Sequence, residues 1–392
     1  MFETLALLPP DPVLGVPALF QKDTHPHKVN LSVGAYQDGE GRPYVLEAIK
    51  DAEKKLAGEH LLKNYLPIEG DPDYIQLTIE LIFASLSKER YFAAQTIGGT
   101  SALRLGGDLL VRAAVPLIAL SNPSWPNHAP IFKQAGLDAI EYPYYDNHTH
   151  GVDFGKLVQA VRALPKGSAI LLQACCHNPT GMDLDFSQWK ELGEEIKKNG
   201  IIPFFDSAYQ GFGNGLEEDV KAVRWFAGLG IDMLVASSFS KNMGLYGERA
   251  GFLAVLSDKE QVKVASQVKQ LIRSNYSNPP IHPARLVATI LKDSVLKKEW
   301  ERELSTMRDR IQCMREALAF GLAAQGAARD FSFLNRQRGV FSYSGLTTQE
   351  VQRLIDEWGI YLLQNGRMNV AGLNSRNLDT VIKAIVNVIH AP

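Results

Sequence analysis

The stretch Ser237-Ser238-Phe239-Ser240-Lys241-Asn242-Met243-Gly244-Leu245-Tyr246-Gly247-Glu248-Arg249 gathers an amine, two kinds of anion ligand and flexible backbone into one short turn. Lys241 offers the amine, Ser238 and Ser240 hydroxyls, and Arg249 a permanent cation. Gly244 and Gly247 let the backbone pass close to a ligand. An amine beside an anion cradle suits a phosphorylated group held covalently. The apolar run Ile231 to Ala236 precedes the turn and reads as a buried strand, so these side chains emerge where a parallel sheet delivers residues to a crevice.

Lys241 alone would read as a solvated lysine after a strand. A second apolar run, Ile201-Ile202-Pro203-Phe204-Phe205-Asp206, changes that by ending in a carboxylate. An imine cofactor such as pyridoxal phosphate works as an electron sink, and the sink is deepest when a carboxylate keeps its ring nitrogen protonated. Asp206 is placed for that task. Phe92 to Ile97 is a further strand, and Gly98-Gly99-Thr100-Ser101 after it opens a helix running to Val111. Free N–H groups at such a start, with the helix dipole, suit a phosphate, although many strand-to-helix turns share the pattern.

Other strands deliver polar groups to the same kind of rim. Leu117 to Leu120 leads to Asn122-Pro123-Ser124-Trp125-Pro126-Asn127-His128, where Trp125 is either core or a flat face for an aromatic cofactor. Ile170 to Cys176 leads to His177-Asn178-Pro179-Thr180-Gly181; Pro179 blocks further ladder pairing, and the Asn178 amide can bond a phenolate oxygen. Tyr209 follows Asp206, with glycines at 211, 213 and 215 whose spacing is not the dinucleotide fingerprint. Val29 to Tyr36 reads as a short strand in which Gly34 is either a ligand approach or a plain strand-end glycine. The loop Lys63 to Gly70 carries Tyr65 without a packing period, and Arg367 lies between strand-like segments as a solvated arginine or a carboxylate fork.

Strands alternate with helical stretches through about residue 290, the pattern of a doubly wound α/β domain. Arg285 to about Ala324 reads as one long helical connector, after which the texture shifts to a small α+β domain. The expected division is an arm over 1–14, the first part of a small domain over 15–44, a large domain over 45–306 and the rest of the small domain over 307–392. The arm, rich in Pro and Leu, is too apolar for a free tail and is expected to pack on another surface such as a second subunit. The 392 residues carry 41 Lys and Arg against 43 Asp and Glu, a balance without the basic stripe of a nucleic-acid groove or an anionic membrane surface. Three cysteines, two of them adjacent, form neither a disulfide framework nor paired zinc spacing, so a reducing cytoplasm is the expected home. No secretory leader or membrane span is read from the sequence. His25/His27 and His148/His150 sit in polar loops without a third ligand at suitable spacing, so no metal is expected.

Taken in order, Lys63-Asn64-Tyr65, Gly98-Gly99-Thr100, Ser124 to His128, His177 to Gly181, Asp206-Ser207-Ala208-Tyr209-Gln210-Gly211-Phe212, Ser238-Phe239-Ser240-Lys241, Ser277-Asn278-Pro279-Pro280 and Gly366 to Val370 form a specific set. The set resembles the class I pyridoxal-phosphate aminotransferases, in their aspartate and aromatic branch, over essentially the whole chain. The resemblance implies the type I fold of pyridoxal-phosphate enzymes and a homodimer. It implies that Lys241 holds pyridoxal 5'-phosphate covalently and shuttles a proton, that Asp206, supported by His128, pairs with the ring nitrogen, and that Asn178 and Tyr209 bond the phenolate oxygen. Trp125 would stack on the ring, and Gly99, Thr100, Ser238 and Arg249 would hold the phosphate, with Tyr65 reaching it from the other subunit. Arg367, Asn178, Trp125 and the Gly34 backbone would receive the substrate α-carboxylate, and the partner's copy of Arg273 a distal carboxylate. Gly98, Ser101 and Gln173 depart from the pattern of some relatives, which touches cofactor tuning and substrate preference.

Two function classes follow. One is a transaminase working by a ping-pong mechanism on aspartate, aromatic amino acids and 2-oxoglutarate; the other is a cofactor-binding regulatory or structural protein that keeps the fold without turnover. Lys241, Asp206 and both arginines together favour the transaminase. Decarboxylation or racemisation is disfavoured because Arg367 would hold the α-carboxylate in the ring plane and leave Cα–H as the bond to break.

Overall fold

The computed structural model describes residues 2–8, 11, 13 and 15–390. It divides into two compact units, one of Met1–Pro43, Ile311–Arg336 and Val340–Pro392, the other of Tyr44–Arg310 and Gln337–Gly339.

The larger unit is built on seven strands: β1 (Tyr91–Ile97), β2 (Ile118–Asn122), β3 (Ala139–Pro143), β4 (Ala169–Gln173), β5 (Ile202–Ser207), β6 (Met233–Ser238) and β7 (Ala250–Leu256). They lie in the order β1-β7-β6-β5-β4-β2-β3. All pairs are parallel except those made by β7, which runs antiparallel to both β6 and β1. Its direction follows from the connection: only residues 239–249 join β6 to β7, with no crossover helix, and a parallel return needs a helix-length crossover. Because β7 is reversed, its first residue lies at the edge where β1, β4, β5 and β6 end. Arg249, which precedes a strand, is thereby delivered beside side chains that follow strands.

β4 to β7 read as apolar runs because helices cover both faces. Phe204, Leu171, Leu234 and Leu253 from the sheet and Leu103, Leu109 and Phe132 from helices share one core cluster. Full burial of a side chain such as Phe204 stabilises by about 1.5–3 kcal/mol. The helix Gly98–Arg112 presses on the sheet at Gly106, where an added Cβ would lie 2.3 Å from the Phe204 ring. Close packing there fixes the helix start at the edge of β1.

Three expected elements differ in detail. The Arg285 to Ala324 connector is two helices, Ile281–Lys292 and Ser294–Ala324, because Asp293 takes an extended ψ of 115° and its carboxylate caps the N–H groups of Val295 and Leu296. The Ile170 strand stops at Gln173, since Cys176 adopts φ 53° and turns its N–H to the Asp183 carboxylate. In the smaller unit only Val29–Asn30 of the expected Val29 to Tyr36 strand is paired, in parallel with Ile360–Tyr361. Beyond it the Asn369 side chain donates to the carbonyls of Val33 and Ala35, doing locally what a strand partner would do.

The smaller unit also carries the antiparallel pair Phe341–Tyr343 and Arg367–Asn369 and the helices Thr348–Trp358 and Leu378–His390. Of the expected arm, positions 1, 9, 10, 12 and 14 lie outside the described residues, while Phe2, Leu5, Leu7 and Leu8 are exposed. Among the described residues no helix is long and apolar enough to cross a membrane.

Candidate active site

The ends of β1, β2, β4, β5 and β6 and the start of β7 place most of the expected side chains along one edge of the larger unit. Register sets the spacing: Gln173, Asp206 and Ala236 are side by side on β4, β5 and β6, and Ser238 faces Gly251. Asp206 is 11% exposed, and its Oδ2 accepts from His128 Nε2 at 3.0 Å. The other oxygen, Oδ1, has no hydrogen bond among the described residues, which leaves it for a cationic ring nitrogen. His128 is fully buried and packs edge-on against Trp125, with ring centroids 5.2 Å apart.

Lys241 follows β6 in a turn, its Nζ 5.5 Å from the centre of the Tyr209 ring. Neighbours fix that turn. Asn242 donates to the Gln210 carbonyl at 3.2 Å, and Trp300 donates to the Asn242 carbonyl at 2.6 Å. Ser237 donates to the Ser207 carbonyl at 3.0 Å, tying β6 to β5 just below Lys241 and Tyr209.

An anion cradle lies beside the amine. The helix Gly98–Arg112 begins at Ile97 with no side-chain cap, so N–H groups of its first turn, including those of Gly99 and Thr100, have only an external partner to take. A Cβ on Gly98, where φ is 74°, would lie 2.2 Å from Arg249 Nη2, so glycine there lets the guanidinium close on the helix start. Ser238 completes the cradle, 3.6 Å from where a Cβ on Gly99 would sit. Helix dipole, guanidinium and hydroxyl together fit a phosphate dianion. A cradle suited to phosphate, a carboxylate with one open oxygen and an amine on the turn after β6 fit the group expected from the sequence.

Asn178 and Tyr209 are buried, at 4% and 6% exposure. Gln173 clamps the Asn178 backbone from both sides, accepting from its N–H at 2.8 Å and donating to its carbonyl at 3.0 Å. Two carboxylates hold the loops, Asp183 partly buried and Asp219 at 4% exposure. Asp183 accepts from the N–H groups of Cys176 and His177, and burial pushes it up to about 6. Asp219 accepts from Gly211, Gly213 and Asn214, so the glycine-spaced loop points its N–H groups at its own carboxylate and not at a nucleotide. Burial raises Asp219 as well. The thiols of Cys175 and Cys176 lie within 4.8 Å of each other and of an Asp219 oxygen, but both oxygens of Asp219 are already engaged.

In the smaller unit Arg367 is 2% exposed, donates to the Ser32 carbonyl at 2.9 Å and stacks 4.0 Å above the Phe341 ring. Gly34 meets the same ring: its Cβ would lie 2.7 Å from Phe341 Cζ. Tyr65 is 93% exposed, and Arg273 stands exposed on the helix Gln261–Asn275 with a bond to Ser277. Neither shares a hydrogen bond or ion pair with the Lys241 cluster among the described residues.

Sequence reasoning passes over Ser121, Thr180, Asp183, Asp219 and Asn242 as functional groups. The one available signal is a polar residue at the end of an apolar run, as at Ser121. For Asp183 and Asp219 no local pattern marks a carboxylate whose partners are backbone N–H groups.

A model of the family described as aminotransferase class I and II matches residues 26–385. The chain is 48% identical to an aspartate aminotransferase of Pseudomonas aeruginosa, over 99% of this chain and 100% of the relative. It is 46% identical to an aspartate aminotransferase of Escherichia coli over the same shares. Its fold is similar to a crystal structure of the aromatic-amino-acid aminotransferase from Burkholderia pseudomallei covalently bound to pyridoxal phosphate, with a TM-score of 0.96, 45% identity and 99% of each chain covered.

Proposed function

This chain belongs to the class I and II aminotransferases, and from that premise we propose that it moves the amino group between aspartate, or an aromatic amino acid, and 2-oxoglutarate in two half-reactions using pyridoxal 5'-phosphate. The observation that carries the proposal is Asp206, fixed by His128 through one oxygen and open at the other, on the same strand edge as Lys241 and the Gly98–Arg249 cradle. Bound pyridoxal phosphate supplies a cationic ring into which the electrons of the broken Cα–H bond can delocalise.

The side chains then have separate tasks. Arg249, Ser238, Gly99 and Thr100 hold the phosphate. Asp206 keeps a proton on the ring nitrogen, because a nearby carboxylate favours the charged form of a base. Asn178 and Tyr209 donate to the phenolate oxygen, and Trp125 covers one ring face. Lys241 would hold the cofactor through its amine and, with substrate bound, would be the base that moves the proton taken from substrate Cα. Arg367 takes the α-carboxylate through its planar fork, with the Gly34 backbone alongside.

We assign the active assembly to a homodimer, because Tyr65 and Arg273 are exposed in the single chain and gain roles only toward a second copy. Arg273 then pairs with the distal carboxylate of aspartate or glutamate. Borohydride reduction of the holoenzyme followed by peptide mapping tests the assignment: the label is expected on Lys241, and label on another lysine overturns it.

A further inference from the structure

Six side chains of the larger unit form one unbroken run of hydrogen bonds behind the sheet edge. Asp206 Oδ2 meets His128 Nε2 at 3.0 Å, His128 Nδ1 meets Ser124 Oγ at 2.7 Å, and Ser124 Oγ meets Ser121 Oγ at 3.1 Å. Ser121 Oγ meets His177 Nε2 at 2.9 Å, His177 Nδ1 meets Thr180 Oγ1 at 2.8 Å, and the Met182 N–H closes the run on Thr180 Oγ1 at 3.2 Å. We propose that this run has a single polarity, with every proton pointing toward Asp206. His128 and His177 are then both neutral with the proton on Nε2, and His177 and Thr180 are positioning residues for the Asp206 carboxylate.

Proton counting gives the direction. A carboxylate only accepts, so His128 donates from Nε2, and a neutral ring must then accept at Nδ1. Ser124 spends its one proton on that nitrogen and can only accept from Ser121. Ser121 spends its own on Ser124 and can only accept from His177, which therefore donates from Nε2 and accepts at Nδ1 from Thr180. Thr180, its proton used, is left as an acceptor, and its remaining neighbour is a backbone N–H that can only donate. The carboxylate end sets the direction for a neutral His128, and the N–H at the other end is compatible with it. The opposite polarity would require His128 to be an imidazolium, which would donate from Nδ1 and reverse each side-chain bond after it, with the Met182 N–H still donating to Thr180.

One acceptor competes with this arrangement. Tyr142, whose phenol donates to the Leu171 carbonyl at 2.9 Å, also lies within reach of Ser121. A Ser121 proton turned that way would leave the 3.1 Å contact between Ser121 and Ser124 with no proton to fill it. His177 is well suited to a neutral role. It is 1% exposed and stacked on Tyr144 with ring centroids 4.0 Å apart, and burial, with His128 nearby, pushes it down to about 3. Aligned bonds polarise one another by about 10–30% per bond. A hydroxyl remote from the cofactor thereby helps hold the carboxylate that faces the ring.

The wild-type holoenzyme, labelled at histidine nitrogens, provides the first test by magnetic resonance. Expected are Nε2–H signals and an unprotonated Nδ1 for both His128 and His177, assigned by their loss in His128→Asn and His177→Asn. A proton on Nδ1 of His177, or a doubly protonated ring there, overturns the polarity. Thr180 separates positioning from packing. Thr180→Val keeps the shape but removes the hydroxyl, and should mix the His177 tautomers and raise the pyridoxal phosphate dissociation constant roughly 2- to 10-fold, the effect of one hydrogen bond. Thr180→Ser keeps the hydroxyl and should match wild type in both readouts. Unchanged affinity in Thr180→Val, or a loss in Thr180→Ser alone, overturns the positioning role. The affinity arm depends on the pyridoxal-phosphate reading of Asp206, whereas the tautomers are a property of the chain itself.

Discussion

From Asp206 through His128, at 0% exposure, to Thr180, at 0%, largely buried side chains are hydrogen-bonded to one another, whereas Tyr65 is 93% exposed and Arg273, among the described residues, bonds its neighbour Ser277 alone. The first region is preorganised: its donors and acceptors are fixed before any ligand arrives, so little reorganisation is needed when charge develops. The second holds long side chains at a surface, where a solvated arginine is stable without any partner. The contrast separates two kinds of chemistry. In the proposed dimer, cofactor tuning would belong to one chain and substrate-length discrimination to the contact between two.

The sharpest break of that contrast is at Lys241. Lys241→Ala should lower kcat by about 10⁴-fold, the upper end for one positioned proton-transfer group. Pyridoxal phosphate should still bind through the Gly98–Arg249 cradle, which equilibrium dialysis would detect. Loss of cofactor together with turnover would show that the cradle does not stand on its own.

Arg273→Leu probes the exposed region. A desolvated charge pair that loses one partner costs about 2–5 kcal/mol, so kcat/KM for aspartate should fall roughly 30-fold to several thousand-fold while that for phenylalanine changes little. Equal losses for both substrates would return Arg273 to a structural role. Mixed dimers sharpen the result. Combining Lys241→Ala with Arg273→Ala subunits should restore dicarboxylate turnover in one of the two sites, and failure to do so in demonstrated heterodimers would place both residues in the same chain's site.

The smallest expected effect is a pH dependence of stability at Asp183. Its carboxyl is raised by burial from 3.8 to about 6, so the folded chain holds a proton that the unfolded chain releases between those values. The stabilisation is fully present below pH 3.8 and is lost as pH rises through about 6. It amounts to something on the order of 3 kcal/mol. In urea titrations, the stability of wild type relative to Asp183→Asn should therefore grow as pH falls across that window. A difference that stays flat would mean the carboxyl does not titrate there.

Much of the large-unit architecture was readable in order along the chain, because parallel strands joined by crossover helices all deliver their last residues to one edge. Lys241, Asp206, Asn178 and the Gly98-Gly99 turn were therefore visible as strand-end residues before any contact was known. The reversed strand β7 was hidden in plain view: an apolar run after an 11-residue helix-free connection, residues 239–249, must come back antiparallel. Asp183 and Asp219 were not visible at all. Their partners are N–H groups, which every residue possesses, so no residue type in the sequence marks the contact.

Residue types and their order thus determined the family and marked Lys241, Asp206, Arg249 and Arg367 as the candidate amine, carboxylate and anion-binding groups, since these depend on chemistry carried by single side chains. Tertiary structure alone decided that Arg249 closes on Gly98, that Gln173 clamps Asn178 and that Asp206 is linked through His128, Ser124 and Ser121 to His177. Asp206 and His128, and Ser121 and His177, are distant in sequence yet meet at 3.0 and 2.9 Å, which takes the side-by-side register of β2, β4 and β5, while the reversal of β7 brings Arg249 to Gly98.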